Sequence, residues 1–282
     1  MSNEHWDIII EPKKKWFDFK LGELWKYRDL VVLFVRRDFV AYYKQTILGP
    51  IWFFIQPIFT TIMFMIIFGK IAKIPTDGIP PQLFYMAGIL NWNYFAECLN
   101  KTSNTFTTNS SVFGKVYFPR LVVPASIVIS NLITYAIQFL LFIFLLGFSI
   151  YNKQFQFHFN SAMLLFPLLI LQIALLGLGI GIIVSSLTTK YKDLSFAIVF
   201  GVQLWMYATP IVYPMSRVPE KWYWLFYLNP MASVIEIFKA MFFNLNTINW
   251  QQYGISWIIT ILALMVGISL FTRVEKSFMD TV

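Results

Sequence analysis

Charge is scarce in this sequence. Asp, Glu, Lys and Arg make up 13% of the 282 residues, about half the share of a soluble globular domain. Apolar residues reach 58%, and the mean hydropathy is +0.64. With apolar runs long enough to cross a bilayer, the chain reads as an all-α integral membrane protein. Cysteine is limited to Cys98, which rules out an intrachain disulfide and leaves the redox compartment open. His5 and His158 lie far apart with no cysteine beside them, so no metal-ligand cluster is recognisable. A phosphate loop of the form G-x-x-x-x-G-K-[ST] is also missing. Gly69-Lys70 and Gly114-Lys115 are followed by Ile71 and Val116. Any ATP and Mg that power this protein are therefore expected on another chain, with no cofactor bound here.

Residues 1–49 lack the short basic head and apolar core of a cleavable signal peptide, so the N-terminus is expected to stay cytosolic. No internal repeat is evident. The one low-complexity patch is polar: ten of the twelve residues from Asn100 to Ser111 are Ser, Thr or Asn.

What is present is a series of apolar runs. Since about 20 helical residues cross a hydrocarbon core, six spans are expected, over residues 50–68, 82–100, 121–150, 162–187, 194–215 and 253–272. The second is weakened by Glu97. Between the fifth and sixth, Trp222–Leu228 and Met231–Phe243 are each too short to cross, and Asn229-Pro230 parts them as a turn. Residues 222–243 read as a re-entrant helical hairpin. Of the 22 Lys and Arg, sixteen fall on segments that share a side with the N-terminus and six on the others. That bias places both termini in the cytoplasm and makes the net charge of +8 a matter of lipid head groups rather than nucleic acid. The division is a cytoplasmic segment over 1–47 and a transmembrane domain over 48–282.

Residues 29–44 show a second pattern. At about 100° per residue, Asp29, Arg36, Arg37 and Lys44 share one arc, and most of the remainder is apolar. An amphipathic helix along the cytoplasmic interface fits. Leu48-Gly49-Pro50 then turns the chain into the bilayer. Asp38 falls on the apolar arc and suggests a contact with a partner there. A generic membrane anchor is the alternative reading of the segment.

Five stretches in order carry a resemblance: RRDFVAYYKQTILGPIWFFIQP, GILNWNYFAECL, KVYFPRLVVP, ATPIVYPMSRVP and YLNPMASVIEIFK. Together they resemble the permease subunits of ATP-driven polysaccharide exporters, which carry O-antigen and, in Gram-positive relatives, teichoic acid. The resemblance runs over nearly the whole chain and implies a homodimer with two ATPase subunits in the bacterial inner membrane. It implies outward movement of a polyprenyl-diphosphate-linked glycan, with O-antigen favoured. It also implies that Leu48 and Gly49 shape the mouth that admits the lipid-linked head group. Arg36, Arg37 and Lys44 would attract its charge. The 101–120 loop would dock on the ATPase through Phe113, Lys115 and Tyr117, and Asn229 and Pro230 would help close the outer mouth.

Other features leave alternatives open. Trp92, Tyr94, Trp205 and Tyr207 suit a sliding glycan path, because rings with a polar handle match sugar C–H faces and edges; for any single one of them helix packing is the better explanation. Ser126, Ser130, Thr134 and Gln138 form a polar stripe, either pore lining or interhelical hydrogen bonding. Gly177, Gly181 and Ser185 form a small-residue face for close packing. A membrane enzyme acting on polyprenyl-phosphate sugars would need clustered acids or histidines, and beyond residue 38 only Glu97 and Glu236 sit in apolar sequence. An ion-coupled transporter would show midplane charges or paired broken helices.

Overall fold

The computed structural model describes residues 21–45, 47–116, 118–191, 193–245 and 248–278. Tyr117 and the first twenty residues of the 1–47 segment lie outside them. Every regular element among the described residues is helical. Two helices, α1 (Leu21–Lys26) and α2 (Arg28–Gln45), precede a 3-10 turn at Gly49–Ile51. Then α3 (Trp52–Phe64) runs on through a π-helical stretch to Ile71, and α4 covers Pro81–Ser103. Two short turns, α5 (Thr105–Thr108) and α6 (Ser110–Phe113), lead into α7 (Val122–Tyr151). The chain continues with α8 (Phe166–Thr188), α9 (Leu194–Tyr207), α10 (Tyr223–Leu228), α11 (Pro230–Phe243) and α12 (Trp250–Phe278).

Four helices are both long and apolar enough to cross a membrane: Gly49–Ile71, Val122–Tyr151, Ser161–Thr188 and Trp250–Glu275. These match the expected first, third, fourth and sixth spans. The stretch over Glu220–Leu228 and Pro230–Phe243 adds a fifth if its two arms, bent by 100°, count as one span. The other expected spans differ for identifiable reasons. α4 has 23 residues, enough length, but Asn91, Asn93, Glu97 and Lys101 make it too polar for the apolar set. α9 stops at Tyr207 after 14 residues, about 21 Å at 1.5 Å per residue. The rest of the 194–215 run is turn, where Pro210 and Pro214 cannot continue a helix.

α4 is the centre of the bundle. It packs against α3, α7, α8, α9 and α11, and 16 of its 23 residues are buried. Glycines set how closely its neighbours approach. A Cβ on Gly177 would lie 2.8 Å from Cys98 Cβ, and one on Gly181 would lie 2.7 Å from Thr102 Cβ. That is the small-residue face expected from the sequence, laid on α4. A second close approach, between α8 and α12, joins Gly179 to Gly267, where an added Cβ would lie 2.6 Å from the Gly179 carbonyl. Around the far end of α7, the rings of Phe139, Phe142, Phe166, Phe238 and Phe242 stack edge and face with centroids between 4.7 and 6.3 Å apart.

α2 lies outside this core. Val31 and Phe34 are buried in a separate cluster with Phe106, Phe113, Phe118 and Phe271. Val32 and Leu33 remain 65% and 58% exposed, an apolar surface of the kind an interfacial helix turns to lipid. Asp38 pairs with Arg37 at 2.9 Å, and that guanidinium lies 4.7 Å above the Phe34 ring. The acid on the apolar arc is thus neutralised by its own neighbour.

The glycine contacts make a prediction. Gly179→Leu should lower stability by about 1–3 kcal/mol through overpacking, read as a reduced melting midpoint in detergent. Gly147→Leu, where an added Cβ meets nothing within 4 Å, should leave the midpoint unchanged. Equal midpoints for the two variants would contradict the close α8–α12 approach.

Candidate functional site

The first apolar helix begins at a turn that only a few residues adopt. Gly49 has φ +50°, in the left-handed region, where a Cβ collides with the following carbonyl. Ile51 N–H then donates to the Leu48 carbonyl at 3.1 Å, and Pro50 opens the helix. This turn faces a pocket of about 160 Å³ lined by Gly49, Trp52 and Gln56 with Asn93, Tyr94, Glu97 and Lys101 of α4 and Asn131, Thr134, Tyr135 and Gln138 of α7. One wall is the C-terminal half of α4, and the other is the N-terminal half of α7. The pocket therefore sits in the half of the bundle nearer the 101–120 loop.

Its interior is organised by hydrogen bonds. Lys101 Nζ lies 2.9 Å from Glu97 Oε2 and donates to Asn131 Oδ1 at 2.9 Å. Tyr135 Oη donates to Asn91 Oδ1 at 3.2 Å, and Asn91 Nδ2 in turn donates to the Ala87 carbonyl. Tyr94 packs on Tyr135 with ring centroids 5.1 Å apart. The arrangement presents a Lys101–Glu97 ion pair, amides, hydroxyls and ring faces within one opening among apolar helices. Its chemistry suits a polar ligand rich in hydroxyls, which can exchange hydrogen bonds with the amides and the ion pair.

Of the residues singled out in the sequence, Gly49 and Tyr94 meet here, along with Thr134 and Gln138 of the polar stripe. Ser126 instead donates to the Val123 carbonyl at 2.8 Å. Arg36, Arg37 and Lys44 are exposed on α2 and do not line the pocket. Leu48 is 40% exposed beside it.

A second constellation forms on the other side of α4. Trp92 is buried, 6.2 Å from the Trp205 ring. Trp205 Nε1 donates to Asn229 Oδ1 at 3.1 Å. That same oxygen accepts from Met231 N–H at 3.1 Å, capping α11, whose first residue is Pro230. Asn229 Nδ2 donates to the Ala208 carbonyl and to Thr209 Oγ1, at 3.1 and 3.0 Å. Asn229 therefore ties the bend between α10 and α11 to the end of α9. Tyr207 is 47% exposed, and its carbonyl accepts from Tyr213 Oη.

Sequence reasoning missed Lys239. It is 1% exposed, donates to the Pro210 carbonyl at 2.7 Å, and lies 3.9 Å from the Phe84 ring centroid and 3.5 Å from Glu236 Oε1. A lysine inside an apolar run was the available signal, because such a charge needs a partner.

In the 101–120 loop, Phe113 is buried against Phe106 and Phe118, and the Arg120 guanidinium lies over its ring at 5.3 Å. Arg120 donates to the Glu275 carbonyl at 3.1 Å, fixing the loop to α12. Burial lowers its pKa from the usual value, and Glu275 opposes that shift. Thr107, Thr108, Ser110, Ser111, Lys115 and Val116 form the loop's exposed side. Phe113 thus holds the loop in place, and its exposed neighbours supply the outward face.

Comparison with known proteins identifies the family. The ABC-2 type transporter family matches residues 29–243. The chain is 27% identical over 267 residues to the O-antigen export system permease protein RfbA of Klebsiella pneumoniae, covering 93% of this chain and 97% of that one. It is 25% identical over 263 residues to the protein of the same name from Myxococcus xanthus, covering 92% and 98%. The polysialic acid transport protein KpsM of Escherichia coli is 21% identical over 237 residues, covering 83% and 89%. The chain belongs to the ABC-2 type transporter family.

The Asn229 joint can be tested. Asn229→Asp removes both donors and sets a carboxylate beside the Ala208 carbonyl, which should cost about 2–4 kcal/mol from buried groups left unpaired. Trp205→Phe removes one hydrogen bond but keeps a ring against Trp92 and Phe95, and should cost less. Thermal denaturation in detergent orders the two, and equal losses would contradict the joint.

Proposed function

We propose that this member of the ABC-2 type transporter family is the membrane subunit that carries a polyprenyl-diphosphate-linked polysaccharide, O-antigen foremost, across the bacterial inner membrane. The pocket at Gly49 is the observation that carries the reading. It joins a cation held by Glu97 to amides, hydroxyls and rings, at the place where the chain enters its first apolar helix. A diphosphate reaching Lys101 would compete with Glu97 for the cation, while sugar hydroxyls would find Asn93, Thr134 and Gln138. Arg36, Arg37 and Lys44 would act earlier, raising the local concentration of the anionic head group by about 1 kcal/mol per basic residue near the surface. The relatives' names support the choice of a glycan.

The chain would work as two copies with two ATPase subunits, which bind ATP and Mg. In this reading α4 and the 194–215 stretch span as well, giving six spans with both termini cytoplasmic, and residues 222–243 re-enter from the outer side. The sixteen-to-six distribution of Lys and Arg supports that orientation. The exposed side of the 101–120 loop, centred on Lys115 and Val116, would receive the ATPase, and ATP-driven movement would pass through Arg120 to α12.

Two experiments test this. Gly49→Asn keeps a residue that tolerates a left-handed backbone, and an added Cβ has open space there; it should retain most surface glycan. Gly49→Leu should reduce surface glycan several-fold at normal protein level, because the turn is strained by about 1–2 kcal/mol. Full export from Gly49→Leu would return the segment to a membrane anchor. For docking, Lys115→Glu with Val116→Asp should abolish co-purification of the ATPase without lowering the melting midpoint. Undiminished co-purification would exclude this face.

A further inference from the structure

A larger cavity, of about 770 Å³, opens at the end of the bundle away from the 101–120 loop. Asp77 lines it just before α4 begins, and the loop follows where α4 ends. The 23 residues of α4, at 1.5 Å each, separate the two by about 34 Å, the thickness of a hydrocarbon core. α12 agrees: its first residue, Trp250, lines the cavity, while Glu275 near its other end meets Arg120.

The walls of this cavity combine apolar side chains, Met215, Ile237, Leu245 and Ile248, with polar groups that hydrogen bonds orient. Asn249 Nδ2 donates to Tyr227 Oη at 2.7 Å, and its Oδ1 accepts from Gln252 N–H at 3.1 Å. Gln252 Nε2 donates to the Phe226 carbonyl at 3.1 Å, so α10 and the start of α12 are held together. Ser216 Oγ donates to the Asp77 carboxylate at 2.9 and 3.1 Å and fixes its direction. Trp250 remains 61% exposed, with its indole at the opening.

This chemistry selects one ligand class. A phosphate is disfavoured, because the ionisable side chains in the lining are Asp77 and Glu236 and two tyrosines, none of them cationic. A bare metal ion is disfavoured, because no group of three His, Cys, Asp or Glu forms among the described residues. An acyl chain would find a continuous apolar match on only part of the wall, which Asp77, Ser216, Asn249, Gln251 and Gln252 interrupt. A neutral sugar matches both the rings and the polar groups of this wall. Its C–H face stacks on Trp250 or Tyr223, and its paired hydroxyls bridge an amide and a carboxylate. The volume falls within the range of small-molecule sites.

We infer that this cavity is a second glycan-binding site, which takes neutral sugar units at the end of the transporter opposite the ATPase face. The inference rests on the transport reading and extends it. Sugar held here between power strokes opposes backsliding of the polymer.

Saturation-transfer NMR on the purified complex of this chain with its ATPase, in lipid nanodiscs, tests the site. The probes are a neutral mannose oligosaccharide, a neutral galactose oligosaccharide and an acidic uronic-acid oligosaccharide. Transfer to the ring protons of at least one neutral probe is expected. It should fall about fivefold in Trp250→Ala, the scale of one lost ring contact, and by a similar factor in Gln251→Ala, whose exposed side chain holds no other element. Equal transfer to wild type and both variants overturns the site, as does no transfer to either neutral probe or stronger transfer to the acidic one. Deleting the gene and locating the lipid-linked glycan reads the transport function separately. Export lost on deletion, with sugar binding indifferent to Trp250, sinks the site and leaves transport standing. Unchanged surface glycan on deletion, with binding still dependent on Trp250, does the reverse.

Discussion

A membrane offers no water to a polar side chain, so every polar group must find its partner inside the protein. In this chain that constraint falls on α4. It carries Asn91, Asn93, Glu97 and Lys101, yet it sits at the centre of the bundle with 16 of its 23 residues buried. The helices around it are the apolar ones. Only 17% of the apolar stretch in Gly49–Ile71 is buried, and 28% of those in Val122–Tyr151 and Trp250–Glu275. The arrangement departs from that of a soluble bundle: α4, polar for a helix of its length, is enclosed, and three of the four apolar helices keep most of their surface outward. Ser161–Thr188 is 56% buried, against α4 and α12. Partners for α4 come from α7, through Asn131 and Tyr135, so the same hydrogen bonds that stabilise the helix also build the pocket.

This arrangement explains what the sequence made legible. Hydropathy registers apolar length, so the three outward helices and the half-buried Ser161–Thr188 all matched the expected spans closely. It registers α4 poorly, because a helix enclosed by others has no need to be apolar. The fifth run failed for another reason. Its composition stays apolar to Met215, but prolines at 210 and 214 end the helix early, and turn backbone there is tolerated because Asn229 and Lys239 hold the carbonyls of Ala208 and Pro210. The Asn229-Pro230 turn was visible as a pair of breakers. Its role as a four-way hydrogen-bond joint was not, since that depends on Trp205 and Thr209, some twenty residues earlier.

For the candidate site, residue type was legible and grouping was not. Gly49 and Tyr94 stood out separately, one as a turn and one as a ring with a polar handle. Only the packing of α3, α4 and α7 brings them to one opening. Arg36 and Arg37 showed the limit from the other side: their charge is plain in the sequence, but α2 carries it along the surface rather than into the pocket. Phe113 was legible as an aromatic in a polar loop, and the Arg120 contact with Glu275 turned that aromatic inward.

α4 also connects the two constellations physically. Asn93 and Tyr94 face the pocket, while Trp92, one residue earlier, packs on Trp205 and through it on Asn229. Successive residues on a helix are about 100° apart, so no rotation of α4 can widen the pocket without moving Trp92 against Trp205. The Gly177 and Gly181 contacts leave α4 no room to shift toward α8, with added Cβ atoms only 2.8 and 2.7 Å from Cys98 and Thr102. α4 is therefore seated directly on the glycine face of α8, while the Asn229 joint on its other side holds the bend between α10 and α11. The polar helix that lipid would reject is thus the element that touches both the Gly49 pocket and, through Trp92 and Trp205, the Asn229 joint.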